Sequence, residues 1–177
     1  MIYDSKQTKH SDAQAAQTGS MPASAISGGD GKPFGPKAEP LRNLLLSAAI
    51  GDIAGEPYEF DGRTKDYDKV SLLRPDNDYT DDTVCTFACA EALLHHADMA
   101  TALWGRGRAD FFRGFGGRYA QWLMSPELGP SYHSYGNGSA MRCSAAGFMA
   151  RDEQECISLA TQTALPTHDH PEGIKGA

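Results

Sequence analysis

Cysteine is scarce in this chain, and its four residues, Cys85, Cys89, Cys143 and Cys156, include no Cys-x-x-Cys pair and no histidines arranged beside them as zinc ligands. That excludes a disulfide framework and a zinc finger, and it predicts buried, reduced thiols in a cytoplasmic setting. Long apolar runs are lacking too. Nothing approaches the roughly 18 residues of a membrane span. Lys6 and Lys9 are followed by Gln, Ser, Ala and Gly rather than an apolar core, so the N-terminus does not read as a secretory signal. Basic charge is in deficit, with 16 Lys and Arg against 23 Asp and Glu for a net charge of −7. A nucleic-acid backbone or an anionic membrane is therefore a poor partner. An anionic small ligand needs local help from a metal, an Arg or a helix N-terminus. Sustained period-2 alternation is missing as well, which predicts an all-α domain.

What is present is concentrated in a few stretches. Residues 1–40 are rich in Ser, Ala, Gln, Gly and Lys and bury too little to order themselves, so they read as a disordered extension able to reach a partner protein. The domain proper is expected over 41–177. Pro40 opens a helix on which Leu41, Leu44, Leu45, Ala48 and Ile53 recur at helical spacing, and Asp52 falls on the same stripe. A carboxylate on a core-facing stripe is either paired or functional. Gly51, Gly55 and Pro57 then break the pattern and place Glu56 and Glu59 in a turn. Residues 61–78 form a polar surface loop.

The organising stretch is Asn77-Asp-Tyr-Thr-Asp-Asp-Thr83. It sets Thr80, Asp81 and Asp82 before a run that is apolar on nearly every face, from Val84 to Leu94, which reads as a buried helix. Adjacent carboxylates at such a place repel and lose hydration. The helix dipole offsets only about 0.3–1 kcal/mol per charge, so a hard divalent cation with oxygen ligands is a natural counterion. The plainer reading is that Asp81 is simply an N-cap and Asp82 a first-turn acid, where Thr and Asp are favoured in any helix. An EF-hand fails, because Asp81 stands where that loop needs Gly and Phe87 where it needs Glu.

Further on, Gly105 to Arg108 reads as a connector and 109–124 as an amphipathic helix weakened by Gly114, Gly116 and Gly117. Gly136-Asn137-Gly138-Ser139-Ala140-Met141-Arg142 offers backbone N–H groups at the start of a helical run, an anion site, or else an Asn-Gly turn with Ser139 as N-cap. Asp152 caps a helix through Ala164, and Pro171 starts another after Thr167-His168.

Taken in order, Gly51-Asp52-Ile53-Ala54-Gly55 with Glu59, then Thr80-Asp81-Asp82-Thr83, then Gly136 to Arg142, then Thr167-His168 resemble the successive motifs of the ADP-ribosylglycohydrolase family. The resemblance spans about 41–177 and implies an all-α fold with a two-ion Mg²⁺ centre. It implies Thr80, Asp81 and Asp82 as metal ligands, with Asp82 also catalytic, and Glu59 as the acid near the scissile bond. It implies Gly136, Asn137, Gly138, Ser139, Met141, Arg142 and His168 as contacts to ADP-ribose. The family pattern also has a C-terminal Asp-Thr-Asp type motif that this sequence does not contain, so the resemblance is to the N-terminal portion of such a domain. The expected function is removal of ADP-ribose from a modified protein side chain or small acceptor once the site is completed. The alternative is a catalytically dead ADP-ribose-binding or immunity-type protein that acts through a partner.

Overall fold

The helix that follows the acidic triplet lies at the centre of the molecule. The computed structural model describes residues 38–59, 64 and 66–177. Its elements are α1 (Ala38–Gly55), α2 (Asp81–His95), α3 (Met99–Ala109), α4 (Gly117–Met124), α5 (Ser144–Met149), α6 (Glu153–Ala164) and α7 (Pro171–Gly176). Short 3₁₀ turns occur at Glu56–Tyr58, Tyr67–Lys69 and Asn137–Ser139. The fold is all-α, and the described residues contain no strand. No helix among them is long and apolar enough to cross a membrane. The extension expected over 1–40 lies almost wholly outside the described residues, and α1 starts at Ala38 with Pro40 in its first turn.

Small side chains explain how α2 can be surrounded. Cys85, Ala88 and Cys89 pack with Leu103 of α3 and with Tyr119, Trp122 and Leu123 of α4. On another face Ala90 and Leu93 pack with Leu41 of α1 and with Ala145 and Ala146 of α5. Neighbouring helices approach closely where only a methyl or a thiol intervenes. Truncating a buried Leu in such a core costs about 2–5 kcal/mol. All four cysteines are unpaired.

Two expectations about elements need correction. Gly105 to Arg108 is the last part of α3 rather than a connector. Gly107 is there for packing: a Cβ on it would lie 2.8 Å from Leu123 Cδ2 and 3.4 Å from Tyr119 Cε1. Conversely, helix occupies only 117–124 of the span 109–124. Gly114 holds a φ of +85°, outside the helical region, and Phe112 is 95% exposed, while Phe111 and Phe115 pack on the core.

Candidate functional site

The N-terminus of α2 is built by three separate parts of the chain. Thr80 is its N-cap and accepts from the Asp82 N–H. The Asp81 N–H donates to the Arg113 carbonyl at 2.7 Å. Asp52 comes across from α1 and accepts four hydrogen bonds: from Thr80 N at 2.8 Å, Thr80 Oγ1 at 2.6 Å, Thr83 N at 3.2 Å and Thr83 Oγ1 at 2.6 Å. The polar residue on the α1 stripe is thus paired, and its partners are the first turn of α2. Every N–H of that turn is taken, so the helix end is already met by a carboxylate before Asp81 and Asp82 are considered.

The two remaining acids behave accordingly. Burial, then Asp82, Glu59 and Asp52, push the Asp81 carboxyl up to about 7. Burial and Asp52 raise Asp82, with Thr80 opposing. Asp98 provides an internal control, since it caps α3 in the ordinary way and its hydrogen bonds to Thr101 lower it. An acid acting only as a cap shifts down. Asp81 shifts up, chiefly from burial and next from the neighbouring carboxylates, and a cation would offset both.

A cleft of about 480 Å³ opens beside this helix end. Its walls include Gly51, Asp52 and Gly55 from the end of α1, Glu56 and Glu59 from the 3₁₀ turn that follows it, Asp82, Thr83 and Thr86 from α2, and Asn137 and Met141 from the later 3₁₀ loop. Four of these side chains are carboxylates and none is basic. A larger cavity of about 740 Å³ lies elsewhere, between the ends of α2 and α6, with Leu93, Met99, Met149 and Leu159 in its wall. It holds none of the sequence motifs, so we take the smaller, acidic cleft as the candidate site.

The loop residues divide into two sets. Asn137 and Met141 reach the cleft, and the Met141 carbonyl accepts from Thr86 Oγ1 of α2 at 3.2 Å. Gly136 and Gly138 lie against His168, and a Cβ on Gly138 would stand 2.8 Å from its Cε1. Ser139 and Arg142 are instead buried behind the loop. Ser139 Oγ donates to the Gly173 carbonyl at 2.6 Å. Arg142 donates from Nε to the Thr163 carbonyl at 3.0 Å and from Nη2 to the same carbonyl at 2.7 Å. Neither the helix start nor the N-cap role expected at Ser139 is found. The chain forms a 3₁₀ turn over Asn137–Ser139 and α5 begins only at Ser144, because the Ser139 hydroxyl is drawn to α7.

Some of this was hidden from sequence reasoning. The four-bond cap by Asp52 carried a signal, its place on an apolar stripe. The Thr86 tie to the loop carried none, since Thr86 sits inside a run read as core.

The family model described as ADP-ribosylglycohydrolase matches residues 37–177. The chain belongs to the ADP-ribosylglycohydrolase family. It is 29% identical over 175 residues to ADP-ribosylhydrolase ARH3 of Mus musculus, an alignment covering 77% of this chain and 46% of that protein. A solved structure described as an ADP-ribosylglycohydrolase-related protein complex matches with a TM-score of 0.55 at 22% identity, covering 78% of this chain and 52% of that one. At that identity the likeness bears on the fold alone. This ADP-ribosylglycohydrolase chain spans about half the length of the curated relative and of the solved structure.

The donor set can be tested against a magnesium ion. Thr80, Asp81 and Asp82 offer only hard oxygens, and Asp81, raised by burial first and by Asp82, Glu59 and Asp52 after it, is a carboxyl that a cation would draw back to its charged form, both of which fit. Among the described residues, however, no three His, Cys, Asp or Glu side chains gather at ligand spacing. These residues thus fit one side of such a centre.

Proposed function

We propose that this chain supplies the ADP-ribose-binding side of a magnesium-dependent hydrolase site, which cleaves the glycosidic bond between ADP-ribose and a modified protein side chain or small acceptor. The observation that carries this is the single cleft in which Glu59, Asp82 and Asn137, from three distant motifs, share a wall. A diphosphate is repelled by the four carboxylates of that wall unless cations stand between them, which is why an acidic cleft and an anionic ligand point together to metal. The name of the mouse relative, an ADP-ribosylhydrolase, supports the same reading.

Thr80, Asp81 and Asp82 would hold the metal. When bound, magnesium supplies Lewis acidity and water activation at neutral pH. Asp82, on the cleft wall, orients the attacking water. Glu59 handles the proton at the leaving nitrogen or oxygen. Asn137 and Met141 line the ligand's path, Gly136 and Gly138 let it approach the backbone with His168 beside it, and we assign Ser139 and Arg142 to holding that loop in place.

A second reading is ADP-ribose binding without turnover. It is favoured by the want of three ligand-spaced acids among the described residues. Calorimetric titration of ADP-ribose into the chain, with and without Mg²⁺, tests both, combined with an assay for ADP-ribose released from a modified protein. Magnesium-dependent binding that disappears in Asp82→Ala supports the proposal. Wild type and Asp82→Ala taking up Mg²⁺ alike sinks the metal assignment, and binding without release selects the second reading.

A further inference from the structure

Helical spacing runs through 109–116, yet the chain leaves α3 at Ala109 and re-enters helix only at Gly117. In an unbroken helix the Arg113 carbonyl would be spent on the N–H of Gly117. With the break it accepts instead from the Asp81 N–H at 2.7 Å. That N–H is the first of α2, one of the donors that a helix cannot satisfy for itself. The turn that supplies the carbonyl is firmly seated. Phe111 and Phe115 pack on the core on either side of it, Phe115 stacking on Tyr119 at 5.1 Å, and Gly114 at a φ of +85° redirects the chain between them.

Two more residues of the acidic stretch are gripped by this turn. The Arg113 guanidinium lies over the Tyr79 ring, 3.7 Å from its centroid, and pairs with Asp78. The Tyr79 hydroxyl donates to Asp110 Oδ1 at 3.1 Å. Asp78, Tyr79 and Asp81 are thus held from the turn between α3 and α4, while Asp52 holds Thr80 and Thr83 from α1. We propose that Arg113 is a positioning residue for the acidic end of α2: its stacked guanidinium fixes the turn and its carbonyl fixes the Asp81 backbone, so that Asp81 meets a divalent cation already in place. The metal half of this inference rests on the assignment of Thr80, Asp81 and Asp82 above; the clamp does not. Charge and position make opposite demands here. By charge alone, a guanidinium near an acidic cluster opposes Mg²⁺, so removing it would strengthen uptake. By position, removing it loosens a ligand, and losing a group that orients a metal ligand weakens affinity about 10–100-fold.

Amide hydrogen exchange followed in ¹H–¹⁵N spectra of the full chain reads the clamp directly. The wild-type Asp81 N–H should exchange roughly a hundredfold slower than an unbonded amide, and Arg113→Ala should speed it about tenfold while the Cys85 and Cys89 N–H groups, deeper in α2, keep their rates. In parallel, calorimetric titration should show Mg²⁺ bound roughly tenfold more weakly by Arg113→Ala, and also more weakly by Arg113→Lys, whose ammonium keeps the charge but not the planar stack. Arg106→Ala, which removes a 2.8 Å ion pair to Glu91 away from this end of α2, should bind Mg²⁺ as wild type does. An unprotected Asp81 N–H in wild type overturns the clamp, even if Arg113→Ala fails to fold. Asp81 exchange unchanged in a folded Arg113→Ala overturns it equally, and wild-type behaviour in Arg113→Lys overturns the part given to stacking. Mg²⁺ bound as tightly or more tightly by an Arg113→Ala whose Asp81 N–H is loosened overturns the positioning role. A wild type that takes up no Mg²⁺ overturns the metal assignment as well, while the clamp stands.

Discussion

Replacing Asp52 with Ala should destabilise the helical domain by about 3–5 kcal/mol. The figure follows from what the carboxylate holds. Its four bonds reach two N–H groups and two hydroxyls, all at the start of the central helix. Bonds to an ionised group contribute about 1.5–3 kcal/mol each, but they share one acceptor and do not add. The two hydroxyls can turn to other partners, whereas the N–H groups of Thr80 and Thr83 are left unmet near the core, at about 1–3 kcal/mol apiece. Asp52→Asn separates geometry from charge: its single carbonyl oxygen can still accept the three bonds now made by Oδ2, so it should lose only about 1–2 kcal/mol. Urea unfolding followed by far-ultraviolet circular dichroism measures both from the midpoint and slope. An Asp52→Ala loss under about 1 kcal/mol, or one equal to that of Asp52→Asn, would refute the claim that this residue joins α1 to α2.

Three further perturbations probe charge and packing. Asp81 is held at about 7 against an ordinary 3.8, so without metal the folded state keeps a proton that the unfolded chain has released. Its contribution is complete below about pH 4 and is lost as pH rises through 7; Asp81→Asn should therefore gain on wild type progressively from pH 4 to 7, and a pH-independent difference in urea midpoints would contradict this. His168, depressed to about 4, has the opposite sign, giving stability present above 6.5 and lost as pH falls toward 4, so His168→Gln should lose the pH-dependent part of that gain. Gly107→Ala should cost about 1–3 kcal/mol, because its new methyl meets Leu123 Cδ2 at 2.8 Å; a thermal midpoint at or above wild type would show that α3 and α4 can slide apart freely.

The amino-acid order by itself determined the helical class, the central helix, the cap at Asp152 and the start at Pro171, because each follows from local periodicity or from a side chain bonding its own backbone, whereas the N-cap of α2 falls on Thr80, one residue before the Asp81 that the sequence favoured. It also carried the family, through motifs whose spacing is a one-dimensional property. Helix boundaries at glycine escaped it: Gly107 serves a neighbour sixteen residues away in Leu123, and only the packed structure says so. The tertiary structure likewise decided that Arg142 faces inward, that Ser139 bonds α7 and that Asp52 caps a helix other than its own. Hydrogen-bond partners of buried polar groups are chosen by which surfaces meet in space, and no local pattern records that choice.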